Sequence, residues 1–184
     1  MHFMEHLVQL LINLLFVFIS CSGPTPSLKA FNIAELEVII ENGIVLTQGK
    51  PFSGKLFALN IKDTLFIKEY KNGREHGLHK SWYTNRQLAE VRYYQKGKKT
   101  GVHTAFWDNG QRKFVYNFAN DLYEDTQYEW YPTGRQFSKR NFKNGHENGL
   151  QKVWDTDGKL RSNYEAKNGR NYGNIGKKNC LSKT

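Results

Sequence analysis

The sequence predicts an all-β fold, a single-layer or curled antiparallel meander of 24-residue β-hairpin repeats preceded by an N-terminal signal helix. Two observations carry this prediction. First, large aromatic residues return every 24 residues, at Trp82, Phe106, Trp130 and Trp154, each preceded at a fixed distance by Gly77, Gly101, Asp125 or Gly149. A fixed period in this range marks units that cannot bury their own apolar face and must stack on their neighbours. Second, turn chemistry recurs in the same register. One column runs Gly73, Gly97, Asp121, Gly145 and Gly169, another Arg86, Gly110, Gly134 and Gly158.

Four segments follow from the pattern: a signal peptide over residues 1–21, a tether and entry segment over 22–44, the repeats over 45–173 and a basic tail over 174–184. The first holds an apolar run from Leu7 to Ile19, interrupted only by Gln9 and Asn13. It is shorter than the ~20 apolar residues that span a bilayer, and it suits a signal-peptide core. The true start could also be Met4. Phe18-Ile19-Ser20-Cys21 resembles the bacterial lipobox, which implies that Cys21 is lipidated and becomes the mature amino terminus. The n-region MHFMEH lacks the customary Lys or Arg, and Phe18 stands where Leu is commoner. The breaker-rich SGPTPS that follows reads as a tether.

Each repeat reads as two short strands, for example Leu78 to Trp82 and Leu88 to Tyr94, joined by Thr84-Asn85-Arg86. The equivalent turns are Asp108-Asn109-Gly110, Pro132-Thr133-Gly134 and Thr156-Asp157-Gly158. Asn72-Gly73, Asn144-Gly145 and Asn168-Gly169 link one hairpin to the next, supplying the positive φ angles of tight turns. Successive hairpins lie roughly 10 Å apart, so Trp82, Phe106, Trp130 and Trp154 are expected to form a structural ladder, with Tyr94, Phe118 and Phe142 filling between its rungs. Strand alternation then turns Tyr83, Trp107 and Tyr131, a row that ends at Asp155, to the opposite side. This second row is the candidate binding face, since rings beside Lys and Arg stack on sugars, lipids or side chains.

The chemistry on offer is sparse. There are 27 Lys and Arg against 17 Asp and Glu, a net charge of +10, but the cations are spread along the chain. Such a distribution reads as a solvated surface and makes nucleic acid an unfavoured partner. The two cysteines, Cys21 and Cys180, are no disulfide framework. No phosphate loop, CxxC pair, HExxH or nucleophile elbow is present. His79 and His103 lie one period apart, too far to share a metal ion without other ligands, and read as surface histidines. No catalytic residue, metal or cofactor is assigned. Asp121, Glu124, Asp125 and Glu129 form an acidic patch in the third repeat, where glycine is expected at positions 121 and 125.

The string from Tyr70 to Leu88 (YKNGREHGLHKSWYTNRQL) resembles the MORN-repeat variant of bacterial proteins grouped as YwqK-type antitoxin-like. The resemblance recurs from Gly101 to Gly110 and from Gly149 to Gly158, and Pro51 to Lys55 (PFSGK) resembles the usual entry to the first repeat. It implies a repeat scaffold that is membrane-proximal or protein-binding, or else an antitoxin that neutralises a cognate toxin. The leading expectation is a non-enzymatic scaffold, lipid-anchored in the bacterial envelope, that binds a protein or an envelope polymer. The alternatives are the antitoxin-like protein and, third, a glycan- or envelope-active enzyme using acids such as Glu90 or Asp125.

Overall fold

A computed structural model describes residues 28–61 and 63–176. The signal segment, the lipobox-like Cys21 and Cys180 lie outside the described residues. The main sheet runs, in hydrogen-bonded order, Ala30–Asn32, Gly54–Asn60, Asp63–Lys71, Gly77–Trp82, Leu88–Gln95, Gly101–Phe106, Arg112–Ala119, Asp125–Trp130, Gln136–Lys143, His146–Trp154, Leu160–Lys167 and Arg170–Asn174. The first pair is parallel and every later pair antiparallel. This is the predicted meander, open at both ends rather than closed into a barrel.

Both turn types follow from backbone sterics. Asn72-Gly73, Asn144-Gly145 and Asn168-Gly169 have positive φ at both positions, as the twist of a two-residue hairpin turn demands. Lys96-Gly97 and Asn120-Asp121 adopt the same conformation, although Lys96 stands where the other turns have Asn and Asp121 where they have Gly, each favouring it less. The turns within the repeats are built differently. Only Arg86, Gly110, Gly134 and Gly158 have positive φ there; each donates its N–H to the carbonyl three residues earlier, as Gly110 does to Trp107 at 2.9 Å. Trp107 in turn donates to Gln111 at 2.8 Å. This is a turn closed by one left-handed residue and a bulge. The bulge appears as a register shift immediately before Trp82, Phe106, Trp130 and Trp154.

The amino-terminal end is capped. Val38–Glu41, Ile44–Thr47 and Lys50–Pro51 form a separate three-stranded sheet, and Val45, Phe52, Leu56 and Tyr70 form a buried cluster with Phe31, Leu36 and Val38 against it. The segment expected to be tether and entry is therefore folded from Ala30 onward. Gly73 fits against this cap: a Cβ there would run into Ile44 and sit 2.9 Å from the Val45 carbonyl. Beyond the cap, full burial is rare. Only Tyr94, Ala105 and Ala166 join the buried hydrophobic residues among those described.

Candidate binding faces of the sheet

Within a hairpin the strands pair along their length, six residue pairs for Gly77–Trp82 against Leu88–Gln95. Between hairpins the ladder is interrupted: Gly101–Phe106 meets Leu88–Gln95 only at Thr104 with Val91 and Ala105 with Glu90, and Arg112–Ala119 meets Asp125–Trp130 only at Phe114 with Glu129 and Val115 with Tyr128. The five pairs of Gln136–Lys143 with His146–Trp154 are broken by a register shift between Arg140 and Phe142. The cause is the column Gly77, Gly101, Asp125 and Gly149, whose positive φ bends each strand away from the preceding hairpin. Backbone groups left open in that gap would cost about 1–3 kcal/mol each if buried without partners.

A second column, two residues on, closes the gap: His79, His103, Gln127 and Gln151, all 5% exposed or less. Each approaches the backbone of the residue ten positions earlier. His79 Nε2 lies 2.8 Å from the Glu69 carbonyl. The Gln127 carboxamide accepts from the Asn117 N–H at 2.7 Å and donates to the Asn117 carbonyl at 3.2 Å and to the Glu124 carbonyl at 2.7 Å. Gln151 donates to the Asn141 carbonyl at 2.7 Å. A carboxamide has the donor and acceptor of a peptide group; Gln127 uses both in place of the missing strand, whereas Gln151 uses its donor and leaves Oε1 buried without a partner. His103 is a poorer substitute. Its Nε2 lies 2.7 Å from the Tyr93 carbonyl and 3.1 Å from the Tyr93 N–H, and one nitrogen can donate to the first or accept from the second, not both.

The two imidazoles also continue a run of rings. Phe31, Phe52, Tyr70, His79, Tyr94, His103 and Phe118 follow one another at centroid separations of 4.7 to 6.1 Å, and Tyr123 carries the run to Phe142 at 5.1 Å. Burial lowers the proton affinity of both histidines. The Glu69 carbonyl for His79, and the Tyr93 and Thr100 carbonyls for His103, oppose that shift, while Lys68 and Arg92 around the first and Arg92 and Lys99 around the second reinforce it. The Glu75 carboxylate, 3.7 Å from His79 Nδ1, does not reverse it. Burial likewise pushes the Tyr70 hydroxyl up to about 12. His79 and His103 are therefore interior residues, not the surface histidines their charge suggests. Among the described residues no group of three or more His, Cys, Asp or Glu is placed to hold a metal ion.

The aromatic ladder needs a matching correction. Trp82, Phe106, Trp130 and Trp154 are half-buried, and the buried column is the histidine and glutamine one. Pairing of Gly77 with Tyr94 and of His79 with Arg92 puts Tyr94 on the face opposite Trp82, so Tyr94, Phe118 and Phe142 do not fill between the tryptophans. Tyr83, Trp107 and Tyr131 belong to turns rather than strands, so alternation does not set their side. Each ties its repeat to the next by donating to the carbonyl of the following ladder residue: Tyr83 to Phe106 at 2.9 Å, Trp107 to Trp130 at 3.1 Å and Tyr131 to Trp154 at 3.0 Å. Asp155, which ends the row, instead accepts from Asp157 and Lys159 in its own turn. Lys113 lies over the Trp107 ring and Phe137 packs edge-on against Tyr131.

Three of the four acids in the patch are committed to hydrogen bonds, two of them to backbone. Asp121 accepts from the Lys99 N–H at 2.8 Å and Glu124 from the Asn144 N–H at 2.7 Å, each binding a neighbouring turn. Glu129 accepts from Tyr116 and, at 2.6 Å, from Ser138. Asp125 takes the glycine position in the bend with φ of 60°. Glu90 pairs with Arg92 at 2.9 Å beside a small cavity of about 100 Å³ that Lys68, Glu75, His79 and Tyr94 also line.

The two faces differ in charge. Between Gly77 and Trp154, the acids on central strands (Glu90, Asp125, Glu129 and Glu147) share the face of His79, Arg92 and Arg140 by register. The other face carries Leu78, Val91, Tyr93, Val102, Val115, Tyr128 and the tryptophan column, with Lys80, Lys113, Lys139 and Lys152 and no strand carboxylate. Tyr93, Val102 and Leu150 on it are 42%, 47% and 51% exposed. Such a molecule belongs to the single-sheet repeat proteins in architecture. No protein-family model and no curated protein matches the chain.

Proposed function

We propose that this chain is a non-enzymatic repeat scaffold, anchored to a bacterial envelope membrane through Cys21, which binds a protein or an envelope polymer across its sheet. One observation carries the binding part: a face of half-exposed rings and aliphatic side chains with lysines among them and no strand carboxylate between Gly77 and Trp154. Monomeric proteins rarely leave such contiguous apolar surface open without a partner. The anchoring part rests on the apolar run from Leu7 to Ile19 and the lipobox-like residues ending at Cys21. Acyl chains contribute about 0.8 kcal/mol for each buried CH₂, enough for one lipidated residue to hold a chain at a surface reversibly.

Fractionation of cells carrying the wild-type chain or Cys21→Ala tests the anchor. Wild type in the membrane fraction and the variant released or unprocessed is the expected result; equal membrane attachment of the two would remove lipidation from the account. Photo-crosslinking groups placed on each face of the full-length chain test the scaffold. Reproducible adducts to one partner support it, and absence of adducts from both faces contradicts it. Recovery of a cytoplasmic toxin on a chain with an uncleaved amino terminus would replace it with the antitoxin-like reading.

A further inference from the structure

We infer that the lysine-bearing face binds an acidic, amphipathic polypeptide segment of a partner protein, laid across the strands; this rests on the scaffold reading above and specifies its partner. The face is not uniform. Where the first and second complete repeats meet, Val91, Tyr93, Val102, Phe106 and Val115 line a depression of about 550 Å³ together with Thr104 and Arg112. Two repeats further on, Lys139, Leu150 and Lys152 line another of about 420 Å³, bordered by Asn141 and Glu165. The first is mainly apolar with a single cation, the second has two lysines and one carboxylate around one exposed leucine.

Val102 and Leu150 occupy the same column two repeats apart, which is four strand spacings or about 20 Å. A helix of roughly 13 residues, at 1.5 Å per residue, covers that distance. A segment with apolar side chains at one end and carboxylates at the other would seat the first in the depression around Val102 and pair the second with Lys139 and Lys152. Charge complementarity selects the sign, because this face presents Lys80, Lys113, Lys139 and Lys152, and the one carboxylate at the second depression, Glu165 across from Leu150, is outnumbered by Lys139 and Lys152. Concavity selects the class. Two separate depressions receive individual side chains, whereas a lipid surface needs a continuous projecting face. The first depression mixes Tyr93 and Phe106 with three valines and offers a sugar only Tyr93, Thr104 and Arg112 as hydrogen-bonding side chains, too few for the many hydroxyls of a glycan.

The test uses the full-length chain in mild detergent and four probes: a synthetic helical peptide bearing Leu at one end and Glu at the other, its Lys-for-Glu counterpart, phosphatidylglycerol vesicles and a sulfated glycan. The Glu peptide is expected to bind at least tenfold more tightly than the Lys peptide and to weaken with added salt. Lys139→Glu with Lys152→Glu, or separately Val102→Glu, should weaken it at least tenfold, while Lys68→Glu on the opposite face changes it less than twofold. All these positions are at least partly exposed, and circular dichroism checks that each variant folds. Equal binding of both peptides, binding of vesicles or glycan alone, or indifference to the face substitutions would overturn the inference. Crosslinks to a partner from the His79 face only would also overturn it while leaving the scaffold reading intact; no crosslinks from either face would remove both.

Discussion

The first two complete repeats and the last two meet the same defect with different chemistry. At the bend after Gly77 and Gly101 the ladder gap is closed by His79 and His103; after Asp125 and Gly149 it is closed by Gln127 and Gln151. The backbone does not require a particular side chain there, only a planar group that reaches a carbonyl ten residues back. What changes is the margin. Gln127 supplies donor and acceptor together and Gln151 its donor alone, its Oε1 being buried without a partner, while a neutral imidazole supplies one per nitrogen but adds ring contacts to Tyr70, Tyr94 and Phe118. Only the histidine half is open to protonation.

The comparison can be broken at the glutamine end first. Gln127→Leu keeps the bulk but strands the Asn117 N–H and the Glu124 carbonyl, and chemical denaturation should report a loss of about 3 kcal/mol. His103→Leu should cost about 2 kcal/mol by the same measurement, because a single ring nitrogen serves the Tyr93 backbone. Trp130→Ala should fall in the same range, about 2 kcal/mol, since its ring is half-exposed and not a fully buried rung. A larger cost for Trp130 than for Gln127 would restore the aromatic ladder as the core. Tyr131→Phe removes one hydrogen bond to the Trp154 carbonyl and should cost about 1 kcal/mol.

Much of this architecture was legible from spacing alone. The meander, the positive-φ pairs at Asn72-Gly73, Asn144-Gly145 and Asn168-Gly169 and the boundaries of the hairpins follow from residue types whose local preference agrees with their place. The buried column did not follow, because hydrophobic periodicity cannot see a core built of His and Gln. Its signal was nevertheless present as His79, His103, Gln127 and Gln151 at the 24-residue period, each two residues after a bend position. Tyr83, Trp107 and Tyr131 were legible as a row but not as ties between repeats. One residue of turn geometry takes them out of the strand, and alternation no longer applies. Asp121 and Glu124 read as a patch because a sequence shows charge and not the N–H groups that the charge accepts from. The charge asymmetry of the two faces needed the register of every strand pair.

The central claim is that neutral, buried histidines act as peptide surrogates in the first half of the sheet and glutamines do so in the second. Both imidazoles have lowered proton affinity when folded, so the unfolded chain takes up protons first as pH falls below the ordinary histidine value of about 6.5. Their contribution is complete above that value and declines as pH falls from it toward the folded-state values. The direct measurement is denaturation of the wild type and of His79→Gln with His103→Gln at pH 7.5 and pH 5. The doubly substituted chain should match wild type within about 1 kcal/mol at the higher pH and lose distinctly less stability on acidification. A double substitution that unfolds the chain at pH 7.5, or one that leaves the acid-induced loss unchanged, would contradict the account.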